Sequence, residues 1–416
     1  GTEDPLQIVC GAPNVAIGLN VPVATVGTRL YDGDESFKIK RSKIRGQISN
    51  GMICGPDEIG LGPKTDGIME LPDDAEVGMA GANYFNINED IVFEIGLTPN
   101  RSDAMSHIGV ARDLKAVLNS RGDDLKMCMP SIKDFKIDNK DLTIDVKIES
   151  ESLCPRYSGV SISNVTVNES PDWLKHKLLS IGINPINNIV DITNYVLHET
   201  GQPLHAFDTE KILGKEIIVK TLSNDTNFIT LDESNRKLSD NDLMICNAKE
   251  PMCIAGVFGG LDSGVTNNTN SIFLESAYFD PTSIRKTAKY HKLNTDASFR
   301  YERGCDPNIT VYALKRAALL IQELCGGVIS SDVVDVYPNP IEDFSINFSF
   351  NNLNRLLGEE LDRNLVKSII KNLEIKIIEK KRGLVNIAHI INYFIVVNTI
   401  IKSIDHISLV NGVVIN

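Results

Sequence analysis

One histidine stands in a context that suits the binding of a polar group or the positioning of a water molecule. His205 follows the turn Gly201-Gln202-Pro203, and the helical segment before that turn carries Thr193 and Asn194, which supply hydroxyl and amide donors. A lone histidine with no evident partner in the sequence is more often structural. Spacing alone therefore favours a structural role for His205.

A glycine-rich run and a carboxylate in an apolar segment are two further candidates for ligand contact. Gly256 and Gly259 belong to the run 255–260, and residues without side chains let the backbone approach a ligand and present its N–H groups. The run matches no dinucleotide or nucleotide-phosphate fingerprint, and a tight strand-to-turn transition explains it equally well. Glu275 is either paired with a cation or bound to a ligand donor, and the two roles are about even.

Charged residues concentrate in two segments. Residues 295–304 alternate acidic and basic side chains, a pattern typical of a structural ion-pair network. Five cations occur within eight residues of an otherwise acidic chain: Lys38, Lys40, Arg41, Lys43 and Arg45. On extended strands these cations would form a stripe that faces phosphates, although lysines protecting an edge strand are the better interpretation from pattern alone.

The composition is that of an ordinary globular chain with several domains. With 416 residues, and roughly 150 residues per domain, about two to four domains are expected. Hydrophobic residues make up 42% and charged residues 23%, which excludes a wholly disordered, collagenous or fibrous protein. Because the net charge is −13, a nucleic-acid partner has to be inferred from a local basic patch.

The cysteines and histidines predict no metal site. Eight cysteines are scattered without a Cys-x-x-Cys pair, and the seven histidines are equally dispersed. Buried reduced thiols and an N-terminus without a signal peptide predict a cytoplasmic protein. The uncharged stretch 383–401 is about as long as a membrane span but contains asparagines and a histidine, which are costly in hydrocarbon, so we expect a buried or disordered tail.

Hydrophobic periodicity predicts the elements that must position these residues. Residues 1–90 contain short apolar stretches separated by Gly, Pro and Asn, as in a small β-barrel. A mixed α/β domain begins near residue 140, with strands clustered between 217 and 279. Helices are predicted after an N-cap at Ser102, from Ser170-Pro171, over 189–200 and 308–325, and on both sides of Gly358.

Several long motifs resemble, in order and spacing, those of the bacterial phenylalanyl-tRNA synthetase beta-subunit family. The central ones are Val190-Asp191-x-Thr193-Asn194-Tyr195 with 201–208, Ala255-Gly256-x-x-Gly259-Gly260, 275–279 and 295–304. Upstream, 8–15 and 44–52 resemble the tRNA-binding module of that family, and 97–112 resembles the segment that follows it. The resemblance covers about residues 5–375.

The resemblance implies a multidomain α+β fold. An incomplete OB-like β-barrel that binds tRNA is expected at 1–90, a helical connecting segment at 91–137 and a mixed α/β editing domain at 138–337. A partial C-terminal α/β domain at 341–416 resembles the start of a DNA-binding-like module and ends in an atypical tail. The first strands of the barrel and the later domains of the family have no counterpart, so the chain is expected to be truncated at both ends.

The resemblance also implies an activity and partners. The beta subunit pairs with a catalytic alpha subunit as an (αβ)₂ heterotetramer that joins phenylalanine to tRNA(Phe), using ATP and magnesium. Neither ATP nor magnesium is expected to bind this chain, and neither DNA nor a membrane is an expected partner. The central domain is expected to hydrolyse mischarged tyrosyl-tRNA(Phe).

The family's editing residues carry over to matching positions of this sequence. The catalytic set is His205, Thr193, Asn194 and Gly256, and the substrate-binding set is Glu275, Thr295, Ala297 and Gly259. Glu275 is expected to accept the phenol hydroxyl of tyrosine, and His205 to bind the terminal ribose or orient the attacking water. The cations at 38–45 are expected to contact tRNA. The alternative is a non-catalytic tRNA-binding or scaffolding fragment with an idle pocket; a free-standing OB-type protein is disfavoured by the motifs between 142 and 304.

Overall fold

The computed structural model describes residues 5–32, 35–62, 64–85, 90–343, 345–381 and 384–388. The chain divides into two compact units, Gly1–Ile91 and Val92–Asn416. The atypical tail predicted from residue 383 lies outside the described residues except for 384–388. Within the ranges described, no helix is both long and apolar enough to cross a membrane.

In its described residues, the first unit consists of short strands, a 3₁₀ turn (Asp57–Ile59) and a short helix. Its elements are β1 (Val23–Thr25), β2 (Arg29–Asp32), β3 (Glu35–Lys38), β4 (Ser42–Ile44), β5 (Gln47–Ser49), β6 (Gly51–Ile53) and α1 (Gly81–Tyr84). The strands form three separate antiparallel pairs, β1–β6, β2–β3 and β4–β5. The predicted β character is confirmed. A closed barrel is not found among the described residues, because closure requires every strand to pair on both sides and each of these pairs on one.

The second unit is mixed α/β. Its strands are β7 (Asp145–Ile148), β8 (Arg156–Val165), β9 (Leu204–Asp208), β10 (Glu216–Thr221), β11 (Asn227–Ile229), β12 (Asn235–Lys237), β13 (Leu243–Cys246), β14 (Pro251–Ile254), β15 (Phe258–Gly259), β16 (Ser271–Tyr278), β17 (Gly326–Ile329), β18 (Val334–Val336), β19 (Ser345–Ser349), β20 (Lys376–Lys381) and β21 (Leu384–Ala388). Its helices are α2 (His107–Ser120), α3 (Asp172–Ser180), α4 (Asn188–Thr200), α5 (Pro281–His291), α6 (Asp296–Tyr301), α7 (Thr310–Cys325), α8 (Phe350–Leu357) and α9 (Arg363–Asn372).

Two five-stranded sheets form the centre of this unit. The β10 sheet has the order β15-β14-β13-β10-β7, and the β16 sheet has the order β17-β8-β16-β9, with β18 also paired to β8. One core cluster joins residues of both sheets, including Phe207 and Phe273 from the β16 sheet and Val219 and Ile254 from the β10 sheet. The alternating side chains of a strand point to opposite faces. One face of the β16 sheet is therefore packed toward the β10 sheet.

The other face of the β16 sheet is covered by helices. Leu274 and Ile162 of the sheet share a second core cluster with Ile192 of α4 and Leu314 of α7. The sequence predicted α4 and α7 closely, and α4 ends as expected at Gly201, whose φ of 83° is left-handed. The apolar stripe of each helix and the inward residues of the strands thus fix the two-layer arrangement on this face.

Two predicted helix starts differ from the structure. Ser102 lies in a single 3₁₀ turn, and α2 begins five residues later, where the Ser106 side chain accepts a hydrogen bond from Gly109 N at 3.0 Å. Ser170 is not the cap of α3, because its hydroxyl donates to the buried Asp191 Oδ2 at 2.5 Å. A buried carboxylate needs donors, and that requirement outweighs a capping interaction at the surface.

A small C-terminal layer completes the second unit. The strands β19, β21 and β20 form a three-stranded sheet, and α8 and α9 flank Gly358 as predicted, with Gly358 at φ 80°. Val366 and Ile370 of α9 pack with Ala116 of α2 in one buried cluster.

Candidate functional site

Glu275 and His205 are direct cross-strand neighbours. In the antiparallel pairing of β16 with β9, Glu275 is opposite His205, and in the pairing of β16 with β8 it is opposite Gly159. Residues opposite each other on paired strands share a face. Glu275 and His205 therefore lie on the face of the β16 sheet that is packed toward the β10 sheet.

The carboxylate of Glu275 is buried and bound by a phenol. Glu275 is 4% exposed, and the Tyr157 hydroxyl donates to its Oε2 at 2.6 Å. Burial raises the pKa of Glu275 to about 7, although the hydrogen bond from Tyr157 acts in the opposite direction. No lysine or arginine pairs with Glu275 within the described part of the chain. Glu275 is therefore not ion-paired among the described residues. Its carboxylate accepts a hydrogen bond from a hydroxyl group instead.

His205 carries a ring nitrogen without a partner. The residue is partly exposed, but its Nε2 is buried and has no hydrogen-bond partner among the described residues. The ring packs edge-on against Phe207 with centroids 4.4 Å apart. Burial lowers the pKa of His205 to about 4, so the imidazole is neutral at pH 7. A neutral imidazole with a free nitrogen can bind a ligand or a water molecule.

The glycine run lies beside this histidine. A Cβ on Gly259 would be 3.4 Å from His205 Cε1 and 2.8 Å from Leu231 Cδ1. Gly256 has a φ of +65°, and a Cβ there would be 2.8 Å from Phe279 Cδ2. The N–H of Gly260 donates to Met252 O at 2.9 Å. Gly259 therefore contributes to the His205 surroundings, whereas the packing of aromatic rings already explains why position 256 is glycine.

Thr295 contacts the same turn, and Ala297 follows it in α6. The Thr295 hydroxyl donates to Val257 O at 3.0 Å and also caps α6 in a capping box with Ser298. Ala297 is partly buried against the core cluster between the two sheets. The fold thus uses both residues structurally, and their contact with a substrate stays a prediction.

Thr193 and Asn194 lie on a helix that packs on the opposite face of the β16 sheet. α4 contributes Ile192 to the cluster on that face, and the Thr193 hydroxyl donates within its own helix to Val190 O at 2.7 Å. No hydrogen bond joins either residue to Glu275 or His205 in the ranges that the structure describes. The structure brings together Glu275, His205 and Gly259; the role of Thr193 and Asn194 stays a prediction.

Tyr157 was not found by the sequence reasoning. It lies in β8 and is fully buried. Its nearest sequence signal is an apolar strand that starts after Cys154-Pro155, and nothing in that strand indicates which carboxylate it meets. We use the name Glu275 site for Glu275, Tyr157, His205 and Gly259.

A separate cleft of about 270 Å³ is lined mainly by 102–112, 300–309 and 373–375, and none of the predicted site residues lines it. Arg300, which lines this cleft, donates to Asp296 and lies 3.2 Å from His198 Nδ1. Among the described residues, no group of three or more His, Cys, Asp or Glu side chains is arranged to hold a metal ion.

The five cations between residues 38 and 45 are exposed and lie in two hairpins and the loop between them. Lys38 ends β3, Lys43 is in β4, and Arg45 has a φ of 48° in the turn to β5. All five side chains are exposed, and none forms a salt bridge with a described residue. The single stripe expected from the sequence is therefore divided between two short strand pairs and the loop that joins them.

Comparisons with known proteins identify the class. The family described as "Putative tRNA binding domain" matches residues 1–80, and the family described as "B3/4 domain" matches residues 153–326, which contain the Glu275 site. The chain thus matches a tRNA-binding family at its start and a second family over the part that contains the Glu275 site.

The relatives narrow this class to one subunit. "Phenylalanine--tRNA ligase beta subunit" of Bacteroides fragilis (strain YCH46) is 56% identical over 380 residues, which cover 91% of this chain and 46% of that protein. The beta subunit of Porphyromonas gingivalis (strain ATCC BAA-308 / W83) is 52% identical over 388 residues, covering 93% of this chain and 47% of that protein. The chain belongs to the bacterial phenylalanine–tRNA ligase beta-subunit family, and it spans about half the length of these relatives.

A solved "N-terminal Fragment Of The Phenylalanyl-tRNA Synthetase Beta-Subunit" from Pyrococcus horikoshii is more distant. It is 13% identical, with a TM-score of 0.33, over 74% of this chain and 85% of that chain. A similarity at this level carries no argument about the fold.

Proposed function

We propose that the Glu275 site hydrolyses the ester of tyrosyl-tRNA(Phe), and that the chain acts within a phenylalanine–tRNA ligase. The observation that supports this most directly is a buried carboxylate, 4% exposed, which pairs with no cation of the described residues and lies directly across the strands from His205. A ring nitrogen of that histidine likewise has no partner in the described part of the chain. Tyrosine differs from phenylalanine by one hydroxyl, so a site that distinguishes them needs a hydrogen-bond acceptor. Glu275 Oε1 is the atom that would accept from the phenol.

The need for a second site follows from the small difference between the two amino acids. An apolar synthetic pocket rejects an added hydroxyl by only about 10²-fold. A second site with a buried hydrogen-bond acceptor favours tyrosine over phenylalanine. Bound phenylalanine would leave that acceptor unpaired, at a cost of about 1–3 kcal/mol. That cost corresponds to roughly a five- to 150-fold preference for tyrosine.

His205 would act on the water that attacks the ester. The water oxygen adds to the carbonyl carbon, the bond to the terminal ribose oxygen breaks, and a proton from the water finally resides on that ribose oxygen. Because the pKa of His205 is about 4, the imidazole is a weak base at neutral pH, and orienting the water or the ribose through Nε2 is the better role. The protein's main-chain N–H groups near Gly256 and Gly259 would then stabilise the oxyanion.

The direct test of this function compares two aminoacylated tRNAs. The purified chain is incubated with tyrosyl-tRNA(Phe) and with phenylalanyl-tRNA(Phe), and release of each labelled amino acid is followed against the rate without protein. Hydrolysis of the tyrosyl ester at least ten times faster than the phenylalanyl ester is expected. Background rates for both would contradict editing and would support the alternative of a tRNA-binding fragment with an idle site.

We also propose that the chain contacts tRNA through the exposed cations of its first unit and pairs with a catalytic alpha subunit in an (αβ)₂ heterotetramer. ATP and magnesium would then be used by the complete synthetase rather than bound here. The match to a tRNA-binding family over residues 1–80 supports the first part. Cations that are exposed and free of ion pairs are available to phosphates.

Neutralising two of these cations should weaken tRNA binding without changing selectivity. In Lys40→Gln combined with Lys43→Gln, we expect lower affinity for tRNA(Phe), and a salt dependence of log K reduced by about one for each lost phosphate contact. Binding is measured by fluorescence anisotropy at several salt concentrations. The matched control is Lys286→Gln with Lys289→Gln on the exposed side of α5. Equal slopes in both double variants would show that the basic segment does not contact tRNA.

A further inference from the structure

Tyr157 and Glu275 form a pair that the fold constructs from two strands. Tyr157 is opposite Ala277 in the β8–β16 pairing, and Glu275 is opposite Gly159, two residues along each strand on the same face. Tyr157 is 0% exposed, and its hydroxyl reaches Glu275 Oε2 at 2.6 Å. The phenol of the chain itself thus occupies one oxygen of the carboxylate in the way that a substrate phenol would occupy the other.

Gly159, opposite Glu275, makes room for the Phe273 ring. A Cβ at position 159 would lie 2.2 Å from Cζ of Phe273, so the Phe273 ring lies directly over the strand at that point. With Gly159 on one side and His205 on the other, Glu275 has one side chain opposite it instead of two. The carboxylate is therefore held by Tyr157, and the side chain opposite it on β9 is that of the partly exposed His205.

Among the described residues, the titratable groups around Glu275 supply no positive charge. The titratable side chains whose pKa responds to Glu275 are Tyr157, Cys154, Cys253 and Tyr301, and burial raises the pKa of each well above its usual value. All four are therefore neutral at pH 7, and so is His205, whose pKa is about 4. Among the described residues, the Tyr157 hydroxyl is the group that donates a hydrogen bond to the carboxylate.

To accept a strong hydrogen bond from the phenol of a substrate, the buried carboxyl must be ionised. Burial alone favours the protonated form, and a hydrogen bond donated to the carboxylate favours the ionised form. The donor also fixes the orientation of the carboxylate plane, which leaves Oε1 directed away from Tyr157. The hydrogen bond from Tyr157 thus affects the ionisation and the orientation of the Glu275 carboxylate, and it does not act on the ester.

We propose that Tyr157 is the positioning residue that makes the Glu275 site selective for an aminoacyl group that carries a phenol, because its hydroxyl favours the ionised form of the carboxylate and orients it. This inference rests on the proposed editing function. Tyr157 would determine which aminoacyl group the site accepts. The water would attack the ester, and His205 would orient that water.

The test is the pH profile of selectivity in Tyr157→Phe. In the unchanged chain, the ratio of tyrosyl to phenylalanyl ester hydrolysis should rise with pH through about 7, as Glu275 ionises. In Tyr157→Phe the midpoint should move up by about one pH unit, so that selectivity at pH 7 falls about fivefold and recovers at higher pH. The pKa of Glu275 is followed in parallel by carboxyl carbon-13 NMR of the tRNA-free chain. An unmoved midpoint together with an unmoved Glu275 pKa would overturn the proposal.

Two controls separate this role from loss of structure. Tyr301→Phe removes another fully buried hydroxyl, which donates to Ala277 O at 3.1 Å, and should move the Glu275 pKa less than Tyr157→Phe does. In a Glu275→Gln background, Tyr157→Phe should change selectivity no further, because its effect passes through the carboxylate; a further loss of similar size would overturn the proposal.

Hydrolysis by the unchanged chain tests the proposed function separately from the role of Tyr157. If it fails to hydrolyse tyrosyl-tRNA(Phe), the proposed function is wrong. If it hydrolyses this ester selectively and Tyr157→Phe keeps the same pH profile, only the role of Tyr157 is wrong.

Discussion

Replacing His205 with alanine is expected to lower the rate of tyrosyl-tRNA(Phe) hydrolysis by about 100-fold or more. The imidazole is the group at the Glu275 site whose buried nitrogen has no partner among the described residues, so it is free to hold the attacking water or the terminal ribose. Loss of a group that orients a reactant or its proton typically costs about 10²–10⁴-fold. Single-turnover hydrolysis of labelled tyrosyl-tRNA(Phe) measures the effect.

The matched control for this variant is His176→Ala, which removes an exposed histidine of α3. We expect its hydrolysis rate to equal that of the unchanged chain. Binding of tRNA should be similar in both variants, because the predicted tRNA contacts lie in the first unit. Hydrolysis by His205→Ala at the normal rate would show that the histidine is structural, as its spacing alone first suggested.

Replacing Glu275 with glutamine is expected to stabilise the protein and to weaken selectivity. The pKa of this carboxyl is raised by burial from its ordinary value of 4.5 to about 7, so the folded state binds a proton that the unfolded state releases between these values. Stability contributed by the protonated carboxyl is therefore present at low pH and lost as pH rises toward 7. An amide of the same shape avoids this loss and should raise the free energy of unfolding at pH 8 by about 3 kcal/mol.

The stability gained in Glu275→Gln should depend on pH, and unfolding experiments can measure this dependence. Urea unfolding of both chains is followed at pH 8 and at pH 5, and the advantage of glutamine should shrink to about 1 kcal/mol at the lower pH. Glu323→Gln, which changes an exposed residue of α7, should show no such pH dependence. Selectivity for the tyrosyl ester should fall about tenfold in Glu275→Gln, because a neutral acceptor is weaker than a charged one. A variant less stable than the unchanged chain at pH 8 would contradict the account of Glu275 as a carboxylate whose burial costs stability when it is ionised.

The local sequence determined much of the fold. Amphipathic periodicity and terminal glycines placed α4 and α7, and the left-handed Gly201 and Gly358 end helices where the sequence indicated. Helix starts were less predictable, because a serine can serve a cap or a buried carboxylate, and Ser170 serves Asp191. That choice depends on a residue 21 positions away, which no local pattern records.

The motifs also indicated the family, since long stretches in fixed order carry more information than any one residue type. Chain order alone could identify Glu275 and His205 as candidates, but it left each with an equally good or better structural explanation. Neither the spacing nor the composition said what either side chain touches.

Only the tertiary structure decided that question. The register of β16 between β8 and β9 sets His205 opposite Glu275 and brings in Tyr157, which lies 118 residues from Glu275 along the chain. It also separates these residues from Thr193, on a helix at the other face of the sheet. Strand register is fixed by which faces are buried, a property of the whole packed core, so a sequence can specify two strands without showing which of their residues will meet.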